Sequence, residues 1–185
     1  MKVLVIAVSG PPGSGSTTIS KMVAKKLKLS YYSPGEAFKN FSKKKESEAA
    51  LEVWSKFGES KDFHEKNFDN IQMEMAKKGN IVICGKLSIH MLYDIADYKI
   101  WIESDLSTRA KRTAERDDVP FDQALEEISK REKVERENWK KIYGFDYFDQ
   151  KKSADFFLEN SKLTAKEAVD KILDFIKRME ESKSP

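Results

Sequence analysis

Six consecutive apolar residues, Val3-Leu4-Val5-Ile6-Ala7-Val8, stand just ahead of a cluster of serine, glycine and proline. The run is too short for a buried helix and has no polar alternation, so it predicts a strand covered on both faces. Ile81-Val82-Ile83-Cys84, between Gly79-Asn80 and Gly85, has the same character. Lys99 to Ile102 and Ala154 to Leu158 predict two further strands, and Leu29 to Tyr32 a short one that Ser33-Pro34-Gly35 ends. Between the strands the apolar spacing changes to three and four. Helices are predicted from Thr17 to Leu27, from Leu106 to Arg116, and from Phe121 to about Tyr143, with Asp117-Asp118-Val119-Pro120 breaking the last two apart. A final helix starts at Thr164, where Thr164 and Glu167 have capping-box spacing and Ala168, Ile172, Leu173 and Ile176 form an apolar stripe. Its tail from Glu181 to Pro185 is expected to fray.

Strands alternating with helices predict a parallel sheet with right-handed crossovers, here a five-stranded sheet in a three-layer α/β/α domain. Two stretches are too long for simple crossovers. Residues 36–78 are helical in pattern, with Phe38, Phe41, Leu51, Val53, Phe57, Phe63, Phe68, Ile71 and Met75 as apolar points and Gly58 as an interruption. Residues 117–149 are the second. Both are expected as helical inserts above the C-terminal ends of the strands, where such sheets bind ligands. Lys43-Lys44-Lys45 reads as a solvated face.

The chemistry lies between the first strand and the first helix. Ser9-Gly10-Pro11-Pro12-Gly13-Ser14-Gly15-Ser16-Thr17-Thr18 follows the spacing G-x-x-x-x-G-K-[ST], except that Ser16 stands where the pattern has lysine. A strand, a glycine loop and a helix in that order wrap backbone N–H groups around nucleotide phosphates, and this is the signature of the P-loop NTPase fold. Gly10, Gly13 and Gly15 permit the close backbone approach. Pro11, Pro12, Ser14, Ser16 and Thr18 complete the expected phosphate cradle, and the Thr17 hydroxyl is placed to ligand Mg²⁺.

Composition narrows the rest. A length of 185 residues fits one domain, and a net charge of +3 is too small to argue for nucleic acid. No apolar run approaches the ~20 residues of a membrane span. With a strand so early no signal peptide is expected, and with Cys84 as the sole cysteine a cytoplasmic protein is expected. With no long apolar surface stripe left over, a monomer is expected too. Five of the six arginines, Arg109, Arg112, Arg116, Arg131 and Arg136, fall within one stretch. The planar fork of arginine suits phosphate.

These residues, in this order, resemble the nucleoside monophosphate kinases, and within them the archaeal type of cytidylate kinase. The resemblance covers nearly the whole chain. The loop is similar to the family's G-P-P-G-S-G-T-T-T. Ser33-Pro34-Gly35-Glu36-Ala37-Phe38-Lys39 resembles S-A-G-E-x-F-R, with Lys39 in place of arginine. Cys84-Gly85-Lys86-Leu87-Ser88 resembles E-G-R-L-S, with Cys84 for the acid and Lys86 for the arginine. The segment from Asp105 to Arg112 resembles the helix leading into the lid. Lys130 to Asn138 resembles R-[DE]-x-x-[DE]-x-x-R, with Arg131 and Glu135 matching and Asn138 replacing the last arginine. Ile142-Tyr143-Gly144-Phe145-Asp146 resembles I-Y-G-I-D, and Asp155 and Asn160 match the end of the sheet.

The resemblance implies transfer of the γ-phosphoryl of ATP to CMP or dCMP with Mg²⁺. It implies that Arg112, Arg116, Arg131 and Arg136 close from the lid as catalytic groups. Gly35, Lys39, Asp69, Lys86, Ser88 and Glu135 would bind the acceptor nucleotide, Glu135 at its sugar. With Cys84 replacing the acid, Glu103 or Asp105 would take over at the metal. Two alternatives stay open. The acceptor could be UMP or another phosphate ester, given Lys39 and Lys86. The chain could also be a nucleotide-binding protein with little catalysis, given Ser16, Cys84 and Asn138. His64 and His90 read as structural or surface residues, Cys84 as a small buried group and Trp101 as core. Trp139, Tyr31 and Tyr32 read equally as base-stacking or structural.

Overall fold

β1 (Val5–Ser9) is buried along its whole length and forms the spine of a sheet in the computed structural model, which describes residues 3–42, 44, 46–57 and 60–183. After it come α1 (Ser16–Leu27), β2 (Ser30–Tyr32), α2 (Pro34–Lys39), α3 (Glu46–Phe57) and α4 (Lys61–His64). A π-helical turn (Glu65–Asp69) joins α4 to α5 (Asn70–Lys78), and β3 (Ile81–Cys84), α6 (Ser88–Met91) and β4 (Tyr98–Glu103) follow. The chain continues through α7 (Leu106–Asp117), α8 (Phe121–Tyr143), a 3₁₀ segment (Tyr147–Ser153), β5 (Phe156–Glu159) and α9 (Ala165–Lys183).

The five strands are parallel in the order β2-β3-β1-β4-β5. The chain leaves β1 with β3 on one side and β4 on the other, so the loop after β1 opens at the point where the strand order reverses. Val5 pairs with Ile81 and Ile6 with Tyr98. The sheet is therefore in register from Val5, and Val3, 52% exposed, lies outside the strand the apolar run predicts.

Alternation along β1 divides the core between the two faces. Ile6 and Val8 meet Ile19, Val23 and Ala24 of α1 and Val169, Ile172 and Ile176 of α9. Val5 and Ala7 share the opposite layer with Trp101, Ile83, Trp54 and Trp139. Trp101 is fully buried, as expected of a core residue. Each such side chain contributes roughly 1.5–3 kcal/mol by leaving water.

Sequence and structure part in the first long insert. Residues 36–78 form four helical pieces and a π turn instead of one broken helix. Ser33 caps α2 by accepting from the Glu36 N–H, and Ser60 caps α4 by accepting from the Phe63 N–H. Gly58, Lys43 and Lys45 lie outside the described residues, while Lys44 is exposed. At the other end the Thr164–Glu167 capping box forms reciprocally, at 3.2 and 2.8 Å. α9 continues helical to Lys183, beyond the expected fraying point. Residues 184 and 185 lie outside the described range. Among the described residues no helix is long and apolar enough to cross a membrane.

Candidate active site

The loop after β1 is shaped by glycines for which a larger residue has no room. A Cβ on Gly10 would fall inside the carbonyl oxygen of Ile102, and one on Gly13 would overlap Ile128. Gly13 and Gly15 also have φ of +78° and +82°. Gly15 sits at the N-cap of α1 and brings no side-chain acceptor, which leaves first-turn N–H groups available to an anion.

Two arginines of α7 hold this loop from behind. Arg109 is buried, donates to the Pro12 carbonyl at 3.1 Å and pairs with Glu132 at 2.7 Å. Arg112 donates to the Ser14 carbonyl at 3.3 Å and to the Asn160 side chain at 3.0 Å. Asn160 in turn donates to the Ser14 carbonyl at 2.9 Å. Burial presses the Arg112 guanidinium below its ordinary pKa, with Asp105 acting against that pressure.

One cavity lies over the loop. Pro11, Pro12, Gly13, Gly15, Ser16, Thr17 and Thr18 line it, together with Arg112, Arg116 and Asn160. A second cavity lies between the C-terminal end of β3 and the helices of the insert. Gly10, Gly35, Asp69, Gln72, Cys84 and Glu135 line it, with Phe38, Trp54, His64, Phe68 and Trp139 as an aromatic wall. Ser16, Thr17, Glu36, Lys39, Lys86 and Arg131 line both cavities and form their junction.

The junction is strongly charged. Lys86 donates to the Gly10 carbonyl at 2.8 Å and lies 3.6 Å from Glu135. Burial pulls its pKa down to about 8, with Glu135 opposing. Burial alone would raise the Glu135 carboxyl, but Arg131 at 2.8 Å and Lys86 outweigh it and hold the group below the usual range. Glu36 pairs with Lys21 at 2.6 Å. Cys84 is buried, which pushes its thiol pKa up.

The structure brings most of the predicted residues to the two cavities, but not all. Arg136 lies apart from both: its guanidinium donates to Asp146 at 3.0 Å and rests 4.7 Å from the Phe148 ring. Its place on α8, five positions beyond Arg131, turns it to another side of the helix. Ser88 is fully buried and donates to the Gln72 amide oxygen at 3.0 Å, so it reaches the cavity only through Gln72. Ser14 is buried in the loop, its N–H turned to the Pro11 carbonyl. Tyr31 and Tyr32 pack into the two core layers.

Of the metal candidates, Thr17 lines the loop cavity. Glu103 and Asp105 lie outside it. Glu103 accepts from the Trp101 indole at 2.8 Å, and Asp105 caps α7 by accepting from the Thr108 N–H at 2.7 Å. Among the described residues no cluster of three or more acid, histidine or cysteine side chains could by itself hold a metal. One hydroxyl beside a phosphate cradle nevertheless suits Mg²⁺, which keeps most of its water and takes phosphate oxygens as ligands.

Gln72 and most of the aromatic wall escaped the sequence, which read only Trp139 as base-stacking or structural alike. His64, Phe68 and Gln72 follow one another at intervals of four, so a histidine and a glutamine occupy an apolar stripe. Such polar intrusions are the mark by which a pocket lining can be found.

Comparison with known proteins adds to this geometry. A family model described as the cytidylate kinase-like family matches residues 5–162. A cytidylate kinase of Pyrobaculum calidifontis is 37% identical over 94% of this chain and 92% of its own length. One from Methanocaldococcus jannaschii is 34% identical over 86% and 89%. Among solved structures, the shikimate kinase of Aquifex aeolicus aligns over 94% of this chain and 96% of its own, with a TM-score of 0.61 at 16% identity. A protein from Eubacterium ventriosum aligns with a TM-score of 0.65 at 22% identity over 94% of this chain and 98% of its own. At those identities the structural likeness speaks for the fold.

Proposed function

The chain belongs to the cytidylate kinase-like family, and from that premise we propose that it transfers the γ-phosphoryl group of ATP to CMP, giving ADP and CDP. What carries this is the shared wall: a phosphate-loop cavity and an aromatic cavity meet at Lys39, Lys86 and Arg131.

The acceptor is already an anion, so no general base is needed, and catalysis consists of positioning and charge stabilisation. ATP lies with its phosphates on the loop N–H groups and the start of α1. Arg112 fixes the loop and, with Arg116, faces the phosphates. Lys39 and Lys86 hold the acceptor phosphate, and Arg131 spans the gap to the transferring group. Glu135 is held ionised between Arg131 and Lys86, which suits it to accept from a ribose hydroxyl. Thr17 would hold Mg²⁺, which when bound offsets charge on the phosphate oxygens. The stretches 36–78 and 117–149 act as acceptor-binding insert and lid, closing over the junction to exclude water.

We also assign dCMP as an acceptor and a monomer in the cytoplasm as the working form. The sequence leaves no long apolar surface stripe once the core is counted, which supports a monomer, although the exposed Phe41 and Phe57 do meet at 6.4 Å between ring centroids. The test is ADP formation from ATP and Mg²⁺ with each nucleoside monophosphate in turn against a blank without acceptor. Turnover confined to CMP and dCMP is expected. Binding without turnover would make the chain a nucleotide sensor instead.

A further inference from the structure

The end of the acceptor cavity away from the phosphate loop carries a small polar network inside apolar walls. Asp69 and Gln72 line only this cavity and not the junction. Both are buried, at 7% and 2% exposure. Asp69 accepts from the Tyr143 hydroxyl on one oxygen and from the Gln72 amide at 3.3 Å on the other. Both of these donors are neutral. Ser88 donates to the Gln72 oxygen at 3.0 Å. This fixes the Gln72 amide: its nitrogen must face the carboxylate, since the reverse would set oxygen against oxygen. Asp69 thus retains acceptor capacity, and Gln72 retains one N–H beyond the bond to Asp69.

The π-helical turn places this pair. The Asn70 N–H donates five residues back, to the Glu65 carbonyl. The extra residue ends the turn on Asp69, and Gln72 follows in the first turn of α5. Such turns are uncommon and frequent at functional sites.

We infer that Asp69 and Gln72 read the acceptor base, Asp69 accepting from the exocyclic N4 amino group of cytosine and Gln72 donating to its N3. This rests on the proposed function, which supplies the pyrimidine. Uracil reverses both groups: O4 would face the Asp69 carboxylate, and N3–H would face the Gln72 N–H. A site built from buried hydrogen-bonding groups rejects the mismatched base because those groups are left unpaired. O2 is an acceptor in both bases. The buried Trp139 indole N–H, which has no hydrogen-bond partner among the described residues, suits it without discriminating.

The test compares kcat/KM for CMP, UMP and the 4-deamino analogue of CMP (pyrimidin-2-one riboside 5′-phosphate). It also follows their binding without ATP by the fluorescence of Trp54 and Trp139. For the unaltered enzyme, removing the amino group is expected to lower kcat/KM by about tenfold or more. In Asp69→Asn and Gln72→Met, CMP is expected to fall by about tenfold or more while UMP holds or rises. An analogue used as well as CMP, or an equal fall for CMP and UMP in folded variants, would overturn the assignment. The analogue decides the matter if the variants fail to fold. An unaltered enzyme that binds and phosphorylates no pyrimidine nucleotide would instead overturn the proposed function, and the base assignment with it.

Discussion

Lys86 donates to the carbonyl of Gly10 across 2.8 Å, fastening the cation after β3 to the first glycine of the phosphate loop. The same ammonium faces the acceptor cavity, so its charge state couples the two nucleotide sites.

The pKa of Lys86, near 10.5 in an unfolded chain, is about 8 in the folded protein. Between these values the unfolded chain holds the extra proton, so stability from this group rises with pH across that window. Phosphate grip runs the other way. The expected outcome is a kcat/KM for CMP that falls as pH rises through about 8, since this ratio reports the free enzyme. A pH-rate profile of Lys86→Arg, whose charge persists, should lack that alkaline limb.

Arg131 and Arg136 lie five positions apart on one helix and separate function from surface. Arg131→Ala is expected to lower kcat about a hundredfold or more, as loss of a charge at the transferring group would. Arg136→Ala removes a partly exposed pair with Asp146, worth up to about 1 kcal/mol, and a cation–π contact with Phe148, worth about 0.5–1 kcal/mol at an exposed site, but no contact in either cavity. Steady-state turnover should stay within roughly threefold of the unaltered enzyme, a ceiling that corresponds to less than one power of ten.

Thr17→Val is expected to raise the Mg²⁺ concentration for half-maximal turnover by roughly tenfold or more. Asp105→Ala should leave that requirement unchanged. It removes the cap of α7 and lowers the melting temperature instead. A Mg²⁺ titration beside a thermal melt distinguishes the two. A raised Mg²⁺ requirement in Asp105→Ala would return that carboxylate to the metal site.

Gly10→Ala and Gly144→Ala are a matched pair of glycine substitutions. The new methyl group at residue 10 meets the backbone of β4, which cannot move aside, so a loss of about 3 kcal/mol is expected. At residue 144 there is open space and only a φ of +83° to oppose it, for roughly 1 kcal/mol. Thermal melts should show shifts of roughly 10 °C and 3 °C.

The sheet was legible because parallel strands covered on both faces leave unmistakable apolar runs, as at β1 and β3. The phosphate loop was legible because glycine spacing is local. The insert was not. No periodicity announces a π turn, and α3 packs against α8 through a contact between residues far apart in sequence, where Trp54 meets Trp139 at 4.6 Å. Lys86 and Glu135 could be placed in the site from motifs, yet their pairing joins residues far apart in sequence. Arg136 is a different case. It falls at an open position of the R-[DE]-x-x-[DE]-x-x-R pattern, and Asp146, ten positions on, engages it away from both cavities.

The π turn also imposes a constraint of length. The i→i+5 winding takes up one residue more per turn than an α-helix does, so α5 stands in nearly the phase it would have after an ordinary helix one residue shorter. Deleting a single position between Glu65 and Asp69 would let α winding take over and leave Gln72 and the buried Ala76 on their present faces. An added residue has no such outlet, because the turn is already widened. At about 100° per residue it would swing α5 around its axis, carrying Gln72 out of the cavity and Ala76 out of the core. The segment therefore tolerates shortening better than lengthening.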